Sequence, residues 1–136
     1  MKHLHNIFGR YPVVCVYLFG SHAKNQQIDN SDYDFGIILQ EGISDIEILN
    51  IRLALLKELL RYLKNPVDIV IMNSKGIPLS LKFRIIKEGQ IIYCQDDLSR
   101  SRFETRILSL YLDHKYYYER HTNEVLENFA RGELVD

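Results

Sequence analysis

Cysteine is scarce in this sequence, neither sign of charge is in excess, and no long apolar run is present. Each shortage removes a class of protein. Two cysteines in 136 residues cannot build a disulfide scaffold. Cys15 and Cys94 each sit among apolar or β-branched neighbours, the setting of buried thiols in a reducing compartment. Lys and Arg total 17 against 18 Asp and Glu, a net charge of −1. The basic footprint of a dedicated nucleic-acid binder is therefore missing. The first apolar run, Val13 to Phe19, is too short to span a membrane. The polar start, Met1-Lys2-His3-Leu4-His5-Asn6, lacks the cleavage site of a secretory signal. The expected location is the cytoplasm. Repeats, low-complexity stretches and linkers are also lacking, so residues 1–136 read as one domain. Hydrophobic residues at 46% and charged residues at 26% fit a soluble globular chain and exclude a disordered one.

Punctuation residues divide the chain. Val13 to Phe19, between Pro12 and Gly20, is β-branched and aromatic and reads as a buried strand. A second strand spans about Asp32 to Leu39. Ser44-Asp45-Ile46-Glu47 is a capping box. It opens a helix whose apolar residues Ile48, Ile51, Leu55, Leu59 and Tyr62 recur at three- and four-residue steps. Asn65-Pro66 ends that helix before a third strand, Val67 to Met72. Leu79 to Glu88 suits a helix closed by Gly89 in the left-handed conformation, and Gln90 to Tyr93 a short fourth strand. Ser101 with Glu104 reads as a second capping box. It sits at the head of a long helical segment, about 99–132, with its break expected at His121-Thr122-Asn123. The prediction is a mixed α/β (α+β) domain with one sheet of about four strands packed against helices. The core lies in about 11–93.

Gly20-Ser21 ends the first strand and Asp32-Tyr33-Asp34 opens the second. Side chains two apart on a strand share a face, so Asp32 and Asp34 point the same way. Paired carboxylates repel unless a cation lies between them, and hard oxygen ligands of this kind suit Mg²⁺ with substrate phosphates. Asp68 is the one charge in the apolar run Val67-Asp68-Ile69-Val70-Ile71-Met72. A buried carboxylate needs a charged partner or a metal. If the third strand lies beside the second, Asp32, Asp34 and Asp68 form a triad able to hold two Mg²⁺ ions for phosphoryl or nucleotidyl displacement. Gly20 lets the backbone approach a phosphate, and Ser21 adds a hydroxyl donor.

Leu18-Phe19-Gly20-Ser21, ten intervening residues, Ser31-Asp32-Tyr33-Asp34-Phe35-Gly36 and then Asp68 together resemble the DNA polymerase β-like nucleotidyltransferases. Within that superfamily the chain is similar to the minimal nucleotidyltransferases, the MNT antitoxins paired with HEPN ribonuclease toxins. The stretch Leu81 to Tyr93 looks like that family as well, and the likeness runs from about Tyr11 to Tyr118. It implies transfer of AMP from ATP to a tyrosine of the partner toxin, which silences it, in a hetero-oligomer with that toxin. On the resemblance, Asp32, Asp34 and Asp68 are catalytic and metal-binding, and Gly20, Ser21 and Lys24 bind the nucleotide. The sequence departs from the family twice. Asn25 stands where a glycine is frequent, and asparagine tolerates the left-handed region. His22 stands where an arginine is common, which leaves Lys24 as the nearest basic side chain for the phosphates.

Two other readings stay open beside this one. The first is a small-molecule nucleotidyltransferase, acting for example on an aminoglycoside, that borrows its second half by dimerising. The other is a non-catalytic module that binds a toxin. Larger members of the superfamily hold their acceptor with an extra domain, whereas about 43 residues follow Tyr93, which favours a protein acceptor. The toxin ribonucleases resemble one another in an Arg followed four to six residues later by His; Arg106 and His114, with seven residues between them, do not match. Tyr116-Tyr117-Tyr118 fan around the last helix and cannot all face one core, so at least one is expected at a surface or a partner interface.

Overall fold

The computed structural model describes residues 2–20 and 32–130, apart from the side chains of 118 and 122–130. In chain order the elements are α1 (Lys2–Gly9), β1 (Val13–Phe19), β2 (Tyr33–Leu39), α2 (Asp45–Leu63), β3 (Val67–Ile71), α3 (Leu79–Glu88), β4 (Gln90–Cys94) and α4 (Asp97–Ala130). The four strands form one mixed sheet in the order β3-β2-β1-β4. β1 runs antiparallel to both β2 and β4, and β2 and β3 run parallel. The expected α+β domain with a long C-terminal helix is the observed one.

Apolar side chains cover both faces of the sheet. On one face Val13, Val16, Phe35, Ile37, Ile69 and Ile71 meet α1 and α2, whose Phe8, Leu55 and Leu59 are fully buried. On the other, Cys15, Tyr17, Phe19, Ile38 and Met72 pack with Ile85 of α3. Truncating Leu55 or Leu59 to alanine would cost about 2–5 kcal/mol, because a packed interior relaxes only partly around a cavity. One polar clasp ties α4 to the second face: the Tyr17 hydroxyl donates to Glu104, and Arg100 donates to the same carboxylate at 3.1 Å.

Several local expectations are corrected. The polar N-terminus forms α1, because Leu4, Ile7 and Phe8 fall on one buried stripe. Ser44 caps α2, its hydroxyl accepting from the Glu47 amide at 3.3 Å, but Tyr62 at the end of the apolar series remains 42% exposed. Gly89 is extended, at φ −74° and ψ 154°, because the chain passes directly into β4 without a turn. The left-handed residue is Lys64, at φ 60°, where α2 ends. α4 starts before Ser101: Asp96 accepts from the Ser99 amide at 3.1 Å and from its hydroxyl at 2.7 Å. Glu104, expected in that capping box, is engaged by Tyr17 and Arg100 instead. The helix continues through His121-Thr122-Asn123 without a break.

Candidate active site

The site is set by where three strands begin or end. β1 finishes at Phe19, whose register partner on β2 is Asp34. Asp34 in turn faces Asp68 across the parallel β2–β3 pair. Residues opposite each other on neighbouring strands share a face, so both carboxylates stand on the face that carries Tyr17 and Phe19. The parallel pairing that would bring Asp68 beside the Asp-Tyr-Asp motif is the one observed. Asp32 precedes the strand and is exposed.

Gly20 turns the chain at the same end with φ 77°, a left-handed conformation that glycine adopts without steric cost. A Cβ at that position would lie 3.3 Å from Asp34 Cγ and closer still to Oδ2. Only glycine lets the backbone and this carboxylate approach so nearly. Ser21 and Lys24, expected to bind the nucleotide, lie outside the described residues, as do His22, Asn25 and Asp29.

Asp68 differs from expectation in one respect. Its side chain is 63% exposed, because β3 is an edge strand and this position opens to solvent beyond it. Arg52 of α2 approaches it, with Nη2 at 3.7 Å from Oδ1, while the Arg52 Nε donates to the Ile69 carbonyl at 3.0 Å. Arg52 was not expected at the site; its only sequence signal is a charge set between Ile51 and Leu53. Among the described residues no three His, Cys, Asp or Glu side chains stand close enough to hold a metal ion. The strands align Asp34 and Asp68 in register without drawing all three carboxylates together. By donor type the set still fits a hard divalent cation, being oxygen throughout.

Tyr116 and Tyr117 on α4 are 66% and 69% exposed, as the spread of consecutive residues around a helix requires. The side chain of Tyr118 is outside the description.

The model of the polymerase beta nucleotidyltransferase family matches residues 2–98, which span the acid set and the whole sheet. The chain belongs to this family. No curated protein matches it. Among solved structures it is similar to a chain of a toxin–antitoxin complex with AMP-PNP, at 19% identity and TM-score 0.70, covering 92% of this chain and 97% of that one. It is similar as well to a chain of the MntA–HepT toxin–antitoxin complex, at 17% identity and TM-score 0.64, covering 92% and 95%. A third likeness is to a chain of the tri-AMPylated Shewanella oneidensis HEPN toxin in complex with an MNT antitoxin, at 16% identity and TM-score 0.64, covering 92% and 94%. These likenesses establish the shared nucleotidyltransferase fold over nearly the whole chain.

Proposed function

We propose that this nucleotidyltransferase is an antitoxin-type protein adenylyltransferase, moving AMP from ATP to a tyrosine hydroxyl of a HEPN ribonuclease toxin and thereby silencing it. The observation that carries the reading is the register of Asp34 with Asp68 beside the turn at Gly20. This is the arrangement of paired carboxylates and close backbone approach that handling a triphosphate requires. The likeness to complexes containing AMP-PNP and an AMPylated HEPN toxin supports ATP as donor and a toxin as acceptor and partner.

In the reaction the tyrosine oxygen attacks the α-phosphorus of ATP. A phosphate ester bond forms, the α–β phosphoanhydride breaks, and pyrophosphate leaves. The phenol has an ordinary pKa near 10 and needs help losing its proton at neutral pH. Asp68, exposed at the sheet edge, would accept it. Asp32, Asp34 and Asp68 would hold Mg²⁺, with two ions expected, and the metal would neutralise the triphosphate charge that otherwise repels these acids. Gly20, Ser21 and Lys24 would cradle the phosphates.

Incubating the partner toxin with this chain, ATP and Mg²⁺ and recording intact and peptide masses tests the reading. AMP-sized gains on tyrosine, absent with Asp34→Asn, are expected. A toxin that stays unmodified yet is neutralised by that same variant would favour a binding module without catalysis.

A further inference from the structure

The open edge of β3 carries an interaction outside the acid pair. Arg52 donates from Nε to the Ile69 carbonyl at 3.0 Å, and its Nη2 reaches toward Asp68 Oδ1 at 3.7 Å. A guanidinium is planar, so a bond at Nε to a fixed backbone carbonyl decides where its far edge lies. The strand that bears Asp68 thus also aims the cation at it. The two side chains are 36% and 63% exposed, and exposed ion pairs contribute little to stability. Asp68 belongs to the acid set, and Arg52 is the one cation within ion-pair distance of it among the described residues. Both side chains line a cleft of about 490 Å³ between α2 and β3, together with Ile48, Leu49 and Lys75.

We propose that Arg52 is a positioning residue. It holds the Asp68 carboxylate at the β3 edge, offsets its charge beside Asp34, and competes with a divalent cation for the same oxygens. The inference rests on the functional reading above, in which Asp68 serves nucleotidyl transfer. It goes beyond that reading in naming a residue of α2 that sets the acid's availability.

Mn²⁺ binding, followed by electron paramagnetic resonance in the presence of a non-hydrolysable ATP analogue, gives a readout independent of catalysis. Arg52→Ala is expected to bind Mn²⁺ about two- to fivefold more tightly, since a partly screened competing charge is gone. Arg52→Lys keeps that charge and should match the wild type. In AMP transfer to the partner, Arg52→Ala should lose about tenfold in kcat at unchanged KM for ATP, with partial recovery in Arg52→Lys. Equal melting temperatures show that the fold is intact. If the wild type transfers AMP but Arg52→Ala shows wild-type Mn²⁺ affinity, the Arg52 assignment is overturned and the functional reading stands. If the Mn²⁺ affinity shifts as expected while the wild type transfers nothing, the functional reading fails and Arg52 still controls Asp68.

Discussion

Replacing Gly20 with alanine separates backbone strain from damage to the site. At φ 77° an L-residue incurs about 1–2 kcal/mol of steric cost. In urea that corresponds to a fall of about 0.5–1 M in the unfolding midpoint for a chain of this size. The new methyl would also stand 3.3 Å from Asp34 Cγ and closer to Oδ2, inside the usual carbon–carbon optimum of about 3.5–4.0 Å. Relief of the nearer Oδ2 contact requires the carboxylate to retreat by roughly 0.6–1 Å, and a displacement on the order of 1 Å at a reacting centre can cost about 10²-fold in rate. Gly42 is the control: its φ is 83°, and a Cβ there would meet nothing within 4 Å. Gly42→Ala should therefore lose similar stability and keep its activity. The assays are urea unfolding and AMP transfer under conditions where both variants are folded. Wild-type transfer by Gly20→Ala would show that the contact with Asp34 does not place the carboxylate for catalysis.

Asp68→Asn keeps the side-chain shape and removes its charge, so transfer should fall by about 10²-fold with an unchanged circular dichroism spectrum; undiminished transfer would strike Asp68 from the acid set. Calorimetric titration with ATP should show tighter binding with Mg²⁺ than in EDTA, because the carboxylates otherwise repel the triphosphate; equal affinities would contradict a metal role for them. Burial, and then the adjacent Cys94 sulfur, push the Cys15 thiol from its ordinary value of 9.0 to about 12. The unfolded chain therefore releases this proton first as pH rises, and stability present below pH 9 is lost progressively towards pH 12. Urea midpoints recorded from pH 8 upward should fall, and fall less steeply in Cys15→Ala; parallel slopes would refute the assignment.

The elements legible in the sequence were those whose signals are local and whose tertiary setting agrees with them. β1 is apolar because it is an inner strand covered on both faces, and the Ser44 cap of α2 depends on three neighbouring residues. α1 was missed because its charged and polar residues dominate its composition, although Leu4, Ile7 and Phe8 form one apolar stripe. Gly89 and Glu104 were read by local rules that tertiary structure overrides. A strand begins where a left-handed cap was expected, and a tyrosine on β1 takes the carboxylate expected to cap α4. Arg52 had no motif to reveal it, since its importance depends on which strand edge α2 lies against.

Asp68 illustrates how one proposed assignment can rest on a different environment from the one first expected. An isolated charge in an apolar strand suggested burial, and burial suggested a partner or a metal. β3 is apolar for a different reason: Ile69 and Ile71 face the α1–α2 core, while Asp68 points to the opposite side at an uncovered edge. A fully buried carboxylate would tend to take up a proton and stay neutral, and no substrate hydroxyl could reach it. Edge placement keeps Asp68 accessible, and the parallel register still brings it beside Asp34. The same edge carries a surface ion pair with Arg52. On the proposed function, access at the sheet edge, rather than isolation in the core, is what would let this carboxylate receive a proton from a hydroxyl carried by another protein.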